Sequence, residues 1–119
     1  MGKFVVLKKP MVGYKMANPK ERNWDQRHLV ILVIPVGASV HLDYKCRASE
    51  AVVASITTPK GKPASVAYSW WTHYHRQRAF AYRVGQVVRP RQKFSNSPFC
   101  CDSGIHFYRS HQTALQAVG

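Results

Sequence analysis

Apolar and polar positions alternate in short stretches along most of the chain, which predicts a protein built mainly from strands. Residues 3–7 form a β-type run closed by Lys8, Lys9 and Pro10, and residues 11–16 resume it after a turn. Residues 17–27 are polar, contain the Asn18–Pro19 pair, and read as a loop. Residues 29–34, LVILVI, are apolar on both faces and rich in β-branched side chains, the pattern of a central buried strand. Pro35 and Gly37 punctuate that strand, and residues 39–42 predict a second short one. Residues 51–58, AVVASITT, are a further β-branched run, followed by the turn sequence PKGKP. Residues 65–68 are expected to return antiparallel, making a hairpin with Lys60 and Lys62 at its tip.

The stretch 69–85 is aromatic and basic, and periodicity leaves a helical turn and an irregular strand pair both open. Within it Phe80, Tyr82 and Val84 alternate with Ala81 and Arg83, which favours a strand presenting Arg83 outward. Gly85 breaks the run, residues 86–88 resume it, and residues 89–97 form a basic loop. Residues 105–108 predict a late strand, and Ser110 is placed to cap a helix over 111–118 that buries Ala114, Leu115 and Val118. The expected fold is α+β: a compact, mostly antiparallel β domain of about six or seven strands with a short C-terminal helix. Residues 1–119 read as a single basic domain with no internal repeat and no linker.

Charge changes this picture more than composition does. The chain carries 18 Lys and Arg against 5 Asp and Glu, a formal net charge of +13. No acidic side chain lies between Glu50 and Asp102, whereas Lys60, Lys62, Arg76, Arg78, Arg83, Arg89, Arg91 and Lys93 all do. Internal ion pairs cannot neutralise such a surface, and the surplus repels itself unless an anion offsets it. A nucleic acid partner would also release condensed counterions. Those eight residues are the predicted nucleic-acid or anion-binding set. Trp70, Trp71, His73, Tyr74, His75, Phe80 and Tyr82 interleave with them, and aromatic rings beside guanidinium groups are the components of a single-strand binding face. No helix-turn-helix or zinc-finger pattern is present, so sequence-specific DNA reading is unsupported.

The apolar run at 29–36 is far short of the roughly 20 residues that cross a bilayer, and the N-terminal run is too short for a signal-peptide core. The expected setting is a reducing compartment, with no membrane span and no secretion. Val6 stands where a myristoylation signal wants Ser or Thr. Three cysteines cannot pair completely, and Cys46, Cys100, Cys101, His41 and His106 lack zinc-site spacings, so neither a metal nor another cofactor is predicted. A Cys101–His106 or Cys101–His75 couple has no nucleophile turn before it, there is no paired carboxylate, and no phosphate-cradling glycine loop occurs. No catalytic residue is assigned.

Three blocks carry a likeness: KCRASEAVVASI at 45–56, FAYRVGQVVRP at 80–90 and CDSGIHFYRSHQTAL at 101–115. Together they resemble an uncharacterised domain of large DNA viruses and bacteriophages, often found beside pentapeptide repeats, over about residues 29–115. The chain departs from that pattern by having no repeat array and an unusually basic middle. The resemblance implies a viral or phage origin, with Cys46, Arg47, Tyr82, Gly85, Cys101, Gly104, His106 and Phe107 as mutual neighbours. It also frames an alternative pocket of Arg47, Tyr82, Cys101 and His106. If Ile105 and Phe107 are core, His106 points away from them. GIHFYRSHQTAL is also loosely similar to the strand and helix that frame the nicotinamide pocket of ADP-ribosyltransferase-type domains, although no acidic residue follows Asp102.

These readings predict a non-enzymatic, virion-associated structural or accessory protein, in the particle or the host cell cytoplasm, contacting nucleic acid or an acidic viral protein. The alternatives are a small ligand-binding or ADP-ribosyltransferase-like enzyme domain centred on His106, and an inhibitor that covers an acidic surface of a host defence protein.

Overall fold

The computed structural model describes residues 2–19, 27–69, 81–90, 93–95 and 104–116. Among them are ten strands: β1 (Lys3–Val6), β2 (Met11–Ala17), β3 (His28–Ile34), β4 (Ser39–Leu42), β5 (Cys46–Ala48), β6 (Ala51–Thr57), β7 (Val66–Tyr68), β8 (Ala81–Arg83), β9 (Val87–Val88) and β10 (Ile105–Phe107). One helix follows, α1 (His111–Gln116). The strands form a first sheet of order β1-β4-β5-β10, a second of order β2-β3-β6-β9, and the two-stranded ribbon β7-β8. Every pairing is antiparallel. The protein is thus mostly antiparallel β with one short helix among the described residues, and the strands beyond the expected six or seven are mainly pieces of two or three residues.

β3 lies between β2 and β6, as its apolar run predicts. His28, Val30, Leu32 and Ile34 are buried, whereas Leu29, Ile31 and Val33 on the other face are half-buried. The partner register jumps between Ile31–Ser55 and Leu32–Val53, leaving Ala54 as the extra residue of a β-bulge. The bulge reverses the alternation of β6, so that Val53 and Ile56 both enter the core although their spacing is odd.

The two sheets share that core, to which the first contributes Val40, Cys46, Ala48, Ile105 and Phe107. They are also joined edge to edge where Tyr14 and Tyr108 exchange backbone hydrogen bonds of 2.8 and 2.7 Å. Gly13 permits this junction: a Cβ there would stand 2.5 Å from the Phe107 ring. At the C-terminus the Thr113 N–H donates to Ser110 Oγ at 3.1 Å, which caps α1 as the sequence predicts. Ala114 is buried beneath the helix, but Leu115 is 49 % exposed, because a helix this short turns a single narrow face inward. Val118 lies outside the described residues.

Two further expectations need correction. The chain after β6 does not return along it through residues 65–68. Pairing lasts only through Thr58 N–H to Lys62 O and Ala64 N–H to Ile56 O, after which β7 pairs with β8 instead. The next stretch of that β6 edge is already taken: Val53 exchanges hydrogen bonds with Gly85 and Gln86, and Ala51 and Val52 pair with β9. Val84, which the alternation puts on the side opposite Arg83, is 43 % exposed, because the Arg83–Gln86 turn swings it outward with Gly85 at φ +85°.

Replacing Gly13 by alanine should lower stability by about 1–3 kcal/mol through overpacking against Phe107. Urea denaturation measures this, and an unchanged midpoint would mean that the sheet junction tolerates the added methyl group.

Candidate nucleic-acid interface

The turn after β6 holds Lys60 and Lys62 exposed at its tip, where Gly61 at φ +82° supplies the left-handed residue. Beside it, Val84 N–H bonds Ser65 O at 3.1 Å, and Pro63, Ala64, Ser65, Val66 and Val84 line an open depression of about 640 Å³. Lys62 and Arg83 adjoin that lining in sequence, and both are exposed. Arg89 is exposed as well, yet its guanidinium pairs with Glu50 at 3.0 Å. It is therefore partly committed inside the molecule. Lys93 is exposed beside β1, while Arg76, Arg78 and Arg91 lie outside the described residues. Lys3, Lys8 and Lys9 are exposed too. The sequence signals Lys8 and Lys9 only as the stop of the first strand, and Lys3 only as its start.

A second cluster follows from strand alternation. Cys46 and Ala48 of β5 enter the core, so Arg47 between them faces the opposite side of the first sheet. The register then aligns Phe4, His41, Arg47 and His106 in one row across β1, β4, β5 and β10. Arg47 is nonetheless fully buried. Its Nη1 donates to the Ser95 carbonyl at 2.8 Å, and its guanidinium carbon stands 4.9 Å from the Phe94 ring centre and 5.6 Å from that of Phe4. Gly104, at φ +150°, lets the chain pass over the arginine stem, since a Cβ there would lie 2.9 Å from Arg47 Cβ. Phe4 also packs on the buried His41 ring with centroids 4.7 Å apart, and Gly2 closes against that same imidazole.

Beside this row, Phe4, Val5, Val6, Ser39, Lys93, Phe94 and Ser95 line a groove of about 560 Å³. Phe4 is 40 % exposed there. Sequence reading picked out Arg47 but missed the aromatic pair, because Phe4 and Phe94 are remote in the chain and only the fold brings their rings together, against each other and against the arginine.

Of the described residues of the alternative pocket, Arg47 and His106 come together and Tyr82 does not join them. Arg47 and His106 are register partners, and His106 points away from the buried Ile105 and Phe107 as expected. Tyr82 lies in the core, its hydroxyl 2.9 Å from Lys15 Nζ, and Cys101 lies outside the described residues. Gly85 is likewise placed apart, its N–H on Val53 O at the edge of the second sheet. Cys46 is a buried free thiol donating to Asp43 O at 3.2 Å, and burial pushes its pKa up, away from the reactive thiolate. Among the described residues no three His, Cys, Asp or Glu side chains converge on a metal site, and no helix is long and apolar enough to cross a membrane.

Lys15 faces inward from β2, on the side that Gly13 and Ala17 bury. Crowding by protein around its ammonium lowers its pKa from 10.5 to about 8, and burial raises that of the Tyr82 phenol. Between pH 8 and 10 the unfolded chain holds a proton on Lys15 that the folded protein has released, so stability should rise with pH in this window. Above pH 10 the sign reverses, since unfolded tyrosine ionises while folded Tyr82 does not. The Lys15 contribution is at most on the order of 3 kcal/mol, because the half-buried side chain keeps part of its hydration. Thermal melts from pH 7 to about 10.5 should show the rise, and Lys15→Met should remove it; an equal rise in that variant would assign it to another group.

No curated protein and no solved structure matches this chain. Residues 2–114, which include both lysine clusters and the whole Arg47 row, match DUF5758, a family of unknown function, and the chain belongs to that family.

Proposed function

We propose that this domain is a non-enzymatic, polyanion-binding component of a viral or phage particle or of its nucleoprotein in the host cell, and that the polyanion is nucleic acid. One observation carries the reading. Lys3, Lys8, Lys9, Lys60, Lys62, Arg83 and Lys93 are exposed, while the described residues hold just two carboxylates, Asp43 and Glu50, of which Glu50 is engaged by Arg89. Most of these cations sit on strands or on turns between strands of the two sheets, so the fold sets where the charges emerge. Phosphate contacts of this kind give affinity without base specificity, in keeping with the absence of a sequence-reading motif.

Affinity for an oligonucleotide should fall steeply with salt. Contacts to about five phosphates would give a log–log slope near −4.5 on duplex DNA. The triple variant Lys60→Glu, Lys62→Glu, Arg83→Glu should weaken binding and flatten the slope while keeping the wild-type melting transition. An affinity independent of salt would remove phosphate contact from the account, and an unchanged slope in the variant would move the contact away from the β6 turn.

A further inference from the structure

The groove beside β1 differs from the rest of the basic surface because it combines charge with open aromatic faces. Phe4 and Phe94 stand nearly perpendicular, 85° apart with centroids at 6.4 Å, and form an aromatic corner. Buried Arg47 and the buried His41 ring both pack against Phe4, which nonetheless stays 40 % exposed and lines the groove. The arginine also ties residues 93–95 to the sheet through the Ser95 carbonyl, which holds the corner open without a ligand. Ser39, Lys93 and Ser95 contribute to the lining, Lys93 is exposed, and among the described residues no carboxylate lines it. Lys3 precedes Phe4, and Lys8 and Lys9 follow β1. A volume near 560 Å³ falls within the roughly 300–1,000 Å³ of small-ligand clefts, enough for a planar ring with its attached sugar.

Resting on the polyanion reading above, we infer that this groove is a stacking site for a base of single-stranded nucleic acid. The base lies on the Phe4 face with its edge toward Phe94, Lys93 meets the adjoining phosphate, and buried Arg47 acts as a positioning residue that fixes both rings. Duplex DNA keeps its bases stacked on one another and cannot offer one to the corner, so the groove discriminates strandedness where the remaining cations do not. The lysines select an anionic strand, and the ring corner selects one carrying planar groups.

The test compares a dT oligonucleotide of about 15 nucleotides, the duplex of the same length and heparin, a polyanion without bases, on wild type and on Phe94→Leu and Phe4→Leu, with melting curves to confirm folding. The wild type should prefer the single strand. Each leucine variant should lose about tenfold in dT affinity and less than about twofold for duplex and heparin. Arg47→Lys, which keeps the charge but not the planar contact with the rings, should reproduce the dT loss. Equal losses on all three ligands, or none on dT in whichever leucine variant folds, would overturn the stacking site while leaving the polyanion reading intact. Competition by polyglutamate as strong as by dT would show that the groove reads charge alone and would also overturn it. Failure of every nucleic acid to bind the wild type would instead remove the reading on which the site rests.

Discussion

Arg47 is the residue around which the first sheet is organised. A guanidinium removed from water is costly unless ring faces and hydrogen-bond acceptors replace its hydration. Alternation along β5 puts this one on the side of the sheet away from the shared core, where β1, β4 and β10 alone would leave it wet. Segment 93–95 therefore crosses that face, Ser95 giving its carbonyl and Phe94 its ring. The same demand explains Phe4, which is partly exposed on an edge strand and yet held by the arginine and by His41. It also explains Gly104, since any side chain there would collide with the arginine stem.

The two faces of the first sheet thus do different work. One joins Ile105, Phe107, Cys46 and Ala48 to the apolar interior of the second sheet. The other buries a cation under aromatic rings and borders an open groove. Gly13 couples them mechanically: Phe107 fits against the bare backbone of β2, and the adjoining Tyr14–Tyr108 hydrogen bonds fix where β10 runs. The position of β10 in turn sets His106 beside Arg47.

Electrostatics follows a similar division. Exposed cations repel one another at modest cost because water and salt screen them. Lys15, half-buried on β2, has less of that relief. It enters the interior from β2, and its lowered pKa expresses that cost, partly offset by the Tyr82 hydroxyl at 2.9 Å and by its ring, whose centre lies 5.0 Å from the ammonium. Arg89 and Glu50 show the contrasting case of an ion pair near the surface, where the gain is small and the main effect is to withdraw one cation from the external field.

Local chemistry by itself determined much of the strand content. The runs at β1, β2, β3, β4 and β6, the Gly61 turn and the Ser110 cap each depend on neighbours within a few residues, so their patterns could be read directly. The charge surplus was equally plain, because no pairing scheme can neutralise 18 cations with 5 carboxylates. Only the tertiary structure decided that β7 leaves β6 for β8, because whether an edge is free depends on residues 85–88, some thirty positions later in the chain. It also separated Tyr82 from Arg47, and joined Phe4 to Phe94 through a buried cation. Such contacts are formed between surfaces remote in the chain, and alternation reports which way a side chain turns without saying what it will meet.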